Sequence, residues 1–448
     1  MSENQRPSYI ANAQPNPQEN RAPWFKNTAP AYAGILLWFV FWTMINSNSL
    51  VNGIWVPIAA VVVGALVCHI FFYLAPGMFG MKTGLPLAVI GSSIFGEKGG
   101  IIMPGLLMGI LQFGWVAVNC IGASLVAPEI GVPAWLFILI WGGLATFIGL
   151  KGIKYVAGIS TYLPLVPLAA LLILLCFTAG HVSSFDPEML TKIPANGAPE
   201  AGNSAIFMGI VGAFVAFFAT AGAAGVDFGT GSRNAKDVHL GGLVGIAFMM
   251  IFTCVAAIII IAGAYGNTEV AKEVIATKGV AGVSATDVMK ALLGESFGKW
   301  LFVALVLAAF PSACFSSLIA ANSFKAMLPK INSTVSVSLG GAAAVALAIT
   351  MQSNAGAIAS VLNIIGVSFG PICGAIFIEY FLCGGEWSGP RKGFNPAGWL
   401  AWAIGFGVGI LPNFGVCEIP MTPVFTFAIG AVVYLVAMKA GLKSENVK

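Results

Sequence analysis

Long apolar runs, each near twenty residues and parted by short polar or charged segments, organise this chain. A helix rises about 1.5 Å per residue and needs roughly 20 apolar residues to cross the hydrocarbon core of a bilayer. Applied along the sequence, that length predicts spans at 32–53, 56–76, 101–125, 134–151, 155–179, 204–229, 239–264, 299–322, 334–351, 356–382, 397–412 and 421–440. The expected fold class is all-α integral membrane, with twelve transmembrane helices. Residues 85–95, between Lys82 and Lys98, are too short to span and are expected to lie along the interface or pack as a short helix. Two longer polar segments separate spans at 181–203 and 265–297. The second alternates Glu269, Lys272, Glu273, Lys278, Asp287 and Lys290 with apolar residues, which suits a surface helix capping a vestibule.

Composition narrows the class. Hydrophobic residues make up 58% of the 448 positions and charged residues only 8%, against about 25% charged in ordinary soluble proteins. The first 28 residues, rich in Pro, Asn and Gln and carrying Arg6, Arg21 and Lys26, have no apolar core. They read as a disordered cytosolic tail rather than a cleaved signal peptide. With that tail inside, only Lys192, Lys272, Lys278, Lys290 and Lys299 of the 21 basic residues fall outside. The opposite orientation would invert the positive-inside bias. The expected location is therefore the cell membrane, taken as the bacterial cytoplasmic membrane, multi-pass and with both termini cytosolic. No basic cluster points to nucleic acid, and nothing in the sequence bears on oligomeric state. The eight cysteines are scattered without a C-x-x-C pair, so neither a disulfide framework nor a metal site is indicated.

Gln112, Trp115 and Asn119 stand at i, i+3 and i+7 in a stretch without charge, and so share one helix face. An amide and an indole in hydrocarbon need partners. Two readings fit: a planar, hydrogen-bonding ligand in the bundle interior, or helix–helix contact aided by Gly105, Gly109 and Gly114. The first span passes from Leu36-Leu37-Trp38-Phe39-Val40-Phe41-Trp42 into Asn46-Ser47-Asn48-Ser49, and the sixth carries Phe217-Phe218-Ala219-Thr220-Ala221-Gly222-Ala223-Ala224-Gly225. Both look breakable. Paired interruptions five spans apart are what an inverted-repeat transporter requires, although Gly222 and Gly225 would also serve close packing. His69, His181 and His239 are dispersed with no nucleophile–base or metal-ligand spacing, which argues against an enzyme. No G-x-x-x-x-G-K-[ST] loop is present, and Gly405-Phe406-Gly407-Val408-Gly409 lies inside a span with no preceding strand.

Lys82-Thr83-Gly84-Leu85, then Phe95-Gly96-Glu97-Lys98-Gly99, then Gln112-Phe113-Gly114-Trp115 resemble the cytosine permeases of the nucleobase:cation symporter-1 family. Asp227-Phe228, Ser232-Arg233-Asn234-Ala235-Lys236 and Pro371-Ile372-Cys373-Gly374 through Glu379-Tyr380 extend the resemblance over residues 30–440. It implies a five-plus-five inverted repeat with broken helices one and six: a first repeat at 29–180, a second at 204–382, two appended helices at 397–441 and a cytosolic tail at 442–448. It also implies substrate contacts from Trp115 and Gln112, an opposing aromatic at Phe218 and a hydroxyl at Thr220; Asn119 joins them from the shared face.

In the eighth span the cytosine permeases carry Asn and a Thr-Thr pair that helps bind sodium, whereas this chain has Ala308-Ala309-Phe310-Pro311-Ser312-Ala313-Cys314. The implied coupling ion is sodium, held by backbone oxygens near Phe39 and Phe41 and by Ser312. A proton is the alternative, with attention then on His69, Asp227 and Glu379. The resulting expectation is a secondary active transporter importing a nucleobase or related planar heterocycle, such as cytosine, a purine or a hydroxymethylpyrimidine, by cation symport with alternating access. A carrier of amino acids or small organic cations on the same architecture is the runner-up.

Overall fold

Apolar length turns into helix almost wherever the sequence predicts it. The computed structural model describes residues 6–152, 155, 162–191, 202–354 and 356–447. Among the described residues eleven helices are long and apolar enough to cross a membrane, from Trp55–Thr83 to Thr422–Lys439, and there is no named strand. The fourth span, Ala134–Lys151, has its predicted limits and stops where Gly152 takes φ 99°, a conformation that favours glycine. Others outrun the apolar count. The seventh begins at Ala235, where the Asn234 side chain accepts from the Asp237 amide, and the eighth extends over Glu295–Met327. A capping side chain, not the first apolar residue, sets the start of the seventh, whereas the eighth starts after Gly294, at φ 80°, with no side-chain cap. The predicted start of the fifth span falls partly outside the described residues, as do Lys154, Lys192, Lys448 and positions 1–5 and 192–201.

The first predicted span is not one helix. Thr28–Leu36 ends at Leu37, Trp38 turns to φ −57° and ψ 129°, and a single turn, Phe39–Trp42, follows. The interruption lies at Trp38, ahead of the Asn46-Ser47-Asn48-Ser49 run that the sequence singles out. Bulky residues 36–42 are all buried, so packing on neighbouring spans decides the local backbone. The polar run has another use. The Ser47 hydroxyl donates to the Val280 carbonyl (2.7 Å) and accepts from the Val283 amide (3.0 Å), while Asn48 Oδ1 accepts from the Gly282 amide (3.0 Å). These bonds clip the segment after the surface helix Thr268–Lys278 onto the C-terminal end of the first span. Beside that segment Lys290 pairs with Glu129 at 2.8 Å, and the hydrogen bonds to Glu129 raise the ammonium pKa.

The sixth span runs over Asn203–Ala223, flattens at Ala224 (ψ −9°) and resumes as Gly225–Thr230. Its glycines also pack closely: a Cβ at Gly222 would meet Phe72, and one at Gly225 would meet Tyr73. Interruption and close approach therefore coincide on one stretch.

The face carrying both termini is more ordered than its composition suggests. Residues 85–95 form two short helices, Leu87–Ile90 and Ser92–Phe95, packed inside rather than along an interface. The segment expected to be a disordered tail is bound to the rest of the chain from Tyr9 onward. Tyr9 donates to the Glu97 carbonyl (2.7 Å), Arg21 Nη1 to the Met81 carbonyl (2.6 Å), and the Trp24 amide to Asp237 Oδ1 (3.0 Å). Its polar groups cannot build a core of their own, but span ends supply the partners they lack.

Candidate functional site

Where the first and sixth spans are interrupted, a cavity of about 340 Å³ opens between them and the third, fifth and eighth spans. Gln112, Trp115, Asn119, Thr220, Phe39 and Ser312 all reach its wall. Five distant stretches of sequence are thus brought together. Phe218 and Phe41 are not in that wall. Phe218 is fully buried, with its ring 5.6 Å from that of Tyr32, and Phe41 lies behind the wall, 5.1 Å from Phe214 and 5.0 Å from Phe217.

Phe217 takes the position expected of Phe218. One residue turns a helix by about 100°, so adjacent phenylalanines point to different faces. The usable signal was Thr220: Phe217 stands three residues before it and shares its face, whereas Phe218 stands two before and does not. Trp38, at the interruption of the first span, is another wall residue that sequence reasoning missed. The Trp115 ring meets Phe217 edge-on at 4.9 Å and 80°; Trp38 stands 6.3 Å from Trp115 and 6.1 Å from Phe217. Three aromatic rings from three spans line one region, with spacings typical of aromatic clusters.

Polar groups in this wall differ in how far they are already committed. The Trp115 indole donates to Thr220 Oγ1 at 2.9 Å, tying the third span to the sixth. Gln112, only 5% exposed, has its amide nitrogen 3.4 Å from the Met108 sulfur, a weak acceptor that leaves the carboxamide able to engage a ligand edge. Asn119 is fully engaged. Its Oδ1 accepts from Trp141 Nε1 (2.7 Å), and its Nδ2 donates to Ser312 Oγ (2.6 Å) and the Ala309 carbonyl (3.3 Å). Ser312 in turn donates to the Ala309 carbonyl at 2.7 Å. On the first span the Phe41 carbonyl accepts from the Met44 amide (3.3 Å), and the Val40 carbonyl from the Thr43 amide and hydroxyl (3.2 and 2.7 Å).

No Asp, Glu, Lys, Arg or His is among the residues lining the cavity. The candidate titratable groups stand elsewhere. Asp227 accepts from the Leu87 amide (3.0 Å) while Arg233 pairs with Asp237 (2.9 Å); Glu379 meets Arg391 (3.3 Å); His69 stacks on Tyr73 with ring centroids 6.0 Å apart. Among the described residues no group of three or more His, Cys, Asp or Glu could hold a metal ion.

A family model described as permease for cytosine/purines, uracil, thiamine, allantoin matches residues 15–388. No curated protein matches the sequence. Many solved structures share the fold, among them the following three. The inward-facing conformation of Mhp1 superposes with a TM-score of 0.66 at 14% identity, covering 96% of this chain and 94% of that one. Mhp1, a nucleobase-cation-symport-1 family transporter, in a closed conformation with bromovinylhydantoin bound gives 0.62 at 15% identity, covering 97% and 95%. A substrate-bound, outward-open Na+-coupled sialic acid symporter gives 0.63 at 12% identity, covering 100% and 94%.

Proposed function

We propose, from the premise that this chain belongs to the family of permeases for cytosine and purines, uracil, thiamine and allantoin, that it imports an uncharged planar heterocycle by cation-coupled secondary transport. It is a transporter and not an enzyme. The observation that carries the choice of substrate class is the wall itself: the aromatic cluster of Trp38, Trp115 and Phe217, the loosely held carboxamide of Gln112 and no charged side chain. A flat ring gains stacking on such surfaces, and an amide offers its edge both a donor and an acceptor. An amino acid or an organic cation would bring a charge into an apolar cavity that has no counter-charge, at a cost of several kcal/mol. The volume, about 340 Å³, lies within the range of small-molecule sites.

Alternating access follows from the same geometry. Pro30, Pro164, Phe228 and Ile319 carry the cavity toward the face that holds both termini, while the 279–288 segment closes over Ser47 and Asn48 on the opposite side. With the termini in the cytosol of a cell-membrane protein, as the positive-inside bias requires, this is the inward-facing state. We assign the five-plus-five repeat to 29–180 and 204–382, with 397–441 appended; the interruptions at Trp38 and Ala224 support it. The sequence holds no phosphate-binding loop, so an ion gradient supplies the energy.

The test is a thermal-shift screen of the purified protein against a nucleobase panel and an amino-acid panel. A ligand at 100 times its Kd stabilises the folded state by about 2.7 kcal/mol. At least one heterocycle is expected to raise the melting temperature and no amino acid to do so; the reverse pattern would move the assignment to the runner-up.

Gln112→Leu tests the polar edge. It nearly conserves volume but removes both amide functions, leaving a buried ring edge without its partner at a cost of about 1–3 kcal/mol. Affinity is expected to fall and discrimination among rings to change, with little effect on melting. A collapsed melting curve in protein that still binds normally would assign Gln112 to helix packing instead.

A further inference from the structure

We infer that the Asn119 carboxamide stands in for a sodium ion at the Ala309 carbonyl and the Ser312 hydroxyl, so that this permease works without sodium at that position. The inference rests on the transporter reading and concerns how that transport is coupled.

Its basis is the direction in which the amide faces. An indole N–H can only donate, so the atom of Asn119 that lies 2.7 Å from Trp141 Nε1 must be the oxygen. The nitrogen is thereby turned toward the eighth span, 2.6 Å from Ser312 Oγ and 3.3 Å from the Ala309 carbonyl. Ser312 gives its own proton to the Ala309 carbonyl (2.7 Å), so its oxygen is left to accept from Asn119. The donor and acceptor assignments close without conflict. Two oxygens that a hard cation would need already face the polar hydrogens of an amide.

The surroundings offer little in exchange. Ala308, Ala309 and Ala313 carry no hydroxyl, and on the first span the Phe41 carbonyl already accepts from the Met44 amide (3.3 Å). A sodium ion would have to displace the Asn119 amide, which is 2% exposed, and strand the Trp141 indole N–H without its acceptor. The amide instead joins the third, fourth and eighth spans, and Asn119 acts as a positioning residue rather than a substrate contact.

The experiment is thermal unfolding of the purified full-length protein in sodium chloride and in choline chloride at equal ionic strength, with heterocycle affinity measured in both. The wild type is expected to melt at the same temperature in the two salts. A coupled sodium ion would change heterocycle affinity about 5- to 150-fold; no change is expected. Asn119→Asp turns the donors into a charged oxygen facing the Ala309 carbonyl, and its melting temperature is expected to rise saturably with sodium. Asn119→Ser uncovers the same oxygens without a charge and is expected to gain a smaller sodium response, which covers the case of an Asp variant that does not fold. A saturable, sodium-specific shift in the wild type that Ser312→Ala abolishes would overturn the inference. Failure of every heterocycle to stabilise the wild type in either salt would count against the transporter reading while leaving the sodium comparison intact.

Discussion

Trp115→Ala is expected to weaken heterocycle binding about 5- to 150-fold, the equivalent of losing about 1–3 kcal/mol of ring stacking. The indole contributes in two ways. Its face belongs to the aromatic wall with Phe217 and Trp38, and its N–H holds Thr220 Oγ1 at 2.9 Å. Trp115→Phe keeps the first and removes the second, so it should retain most of the affinity. Phe217→Ala should resemble Trp115→Ala. Phe218→Ala, by contrast, should lower the melting temperature with affinity unchanged, because its ring packs near Tyr32 outside the cavity. The measurement is saturation binding of a labelled heterocycle to purified protein, alongside a melting curve for each variant. Unchanged affinity in a folded Trp115→Ala protein would reduce Trp115 to a packing residue, and equal losses at 217 and 218 would remove the facial argument.

Arg391→Ala is expected to destabilise the protein by about 3–5 kcal/mol, the usual consequence of removing one partner of a buried ion pair. Glu379 is fully buried. Its carboxylate accepts from the Tyr434 hydroxyl (2.9 Å), the Ser388 hydroxyl (2.8 Å) and Arg391 Nη2 (3.3 Å). Arg391 also donates from Nε to the Ser93 carbonyl (2.7 Å) and from Nη1 to the Ser444 carbonyl (3.3 Å). One guanidinium therefore joins the tenth span, the short helices after the second and the C-terminal segment. Without it the carboxylate is left buried with neutral donors alone. The double variant Glu379→Gln/Arg391→Met removes both charges and should recover much of the loss. Thermal or denaturant unfolding of the three variants is the check: a double variant no more stable than Arg391→Ala would show that the arginine acts through shape or backbone contacts and not through the charge pair.

The two sites differ in how far they can be read from the chain. Gln112 and Trp115 were legible because their spacing on one helix is a local property, and a polar face in a charge-free span has few uses. Phe217 was half legible: Thr220 marks its face, but only if Thr220 is already known to point inward. Glu379 and Arg391 were not legible as a pair. Their meeting depends on the loop after the tenth span folding back, and Tyr434 comes from another helix altogether. Asn119 is similar: the sequence puts it on the Gln112–Trp115 face, yet Trp141 and Ser312 decide what its amide does there.

By itself the sequence determined that this chain crosses a membrane many times, roughly where each helix lies, and which family it resembles, because bilayer thickness imposes a length on every apolar run. A span such as Ala134–Lys151 needs no knowledge of its neighbours. The tertiary structure alone decided that the first span turns at Trp38, that the N-terminal segment is bound and not free, and that Phe217 and not Phe218 faces the cavity. Each of these outcomes is a choice among backbone or rotational states that differ little in local energy. Contacts between residues far apart in sequence supply the few kcal/mol that select one of them.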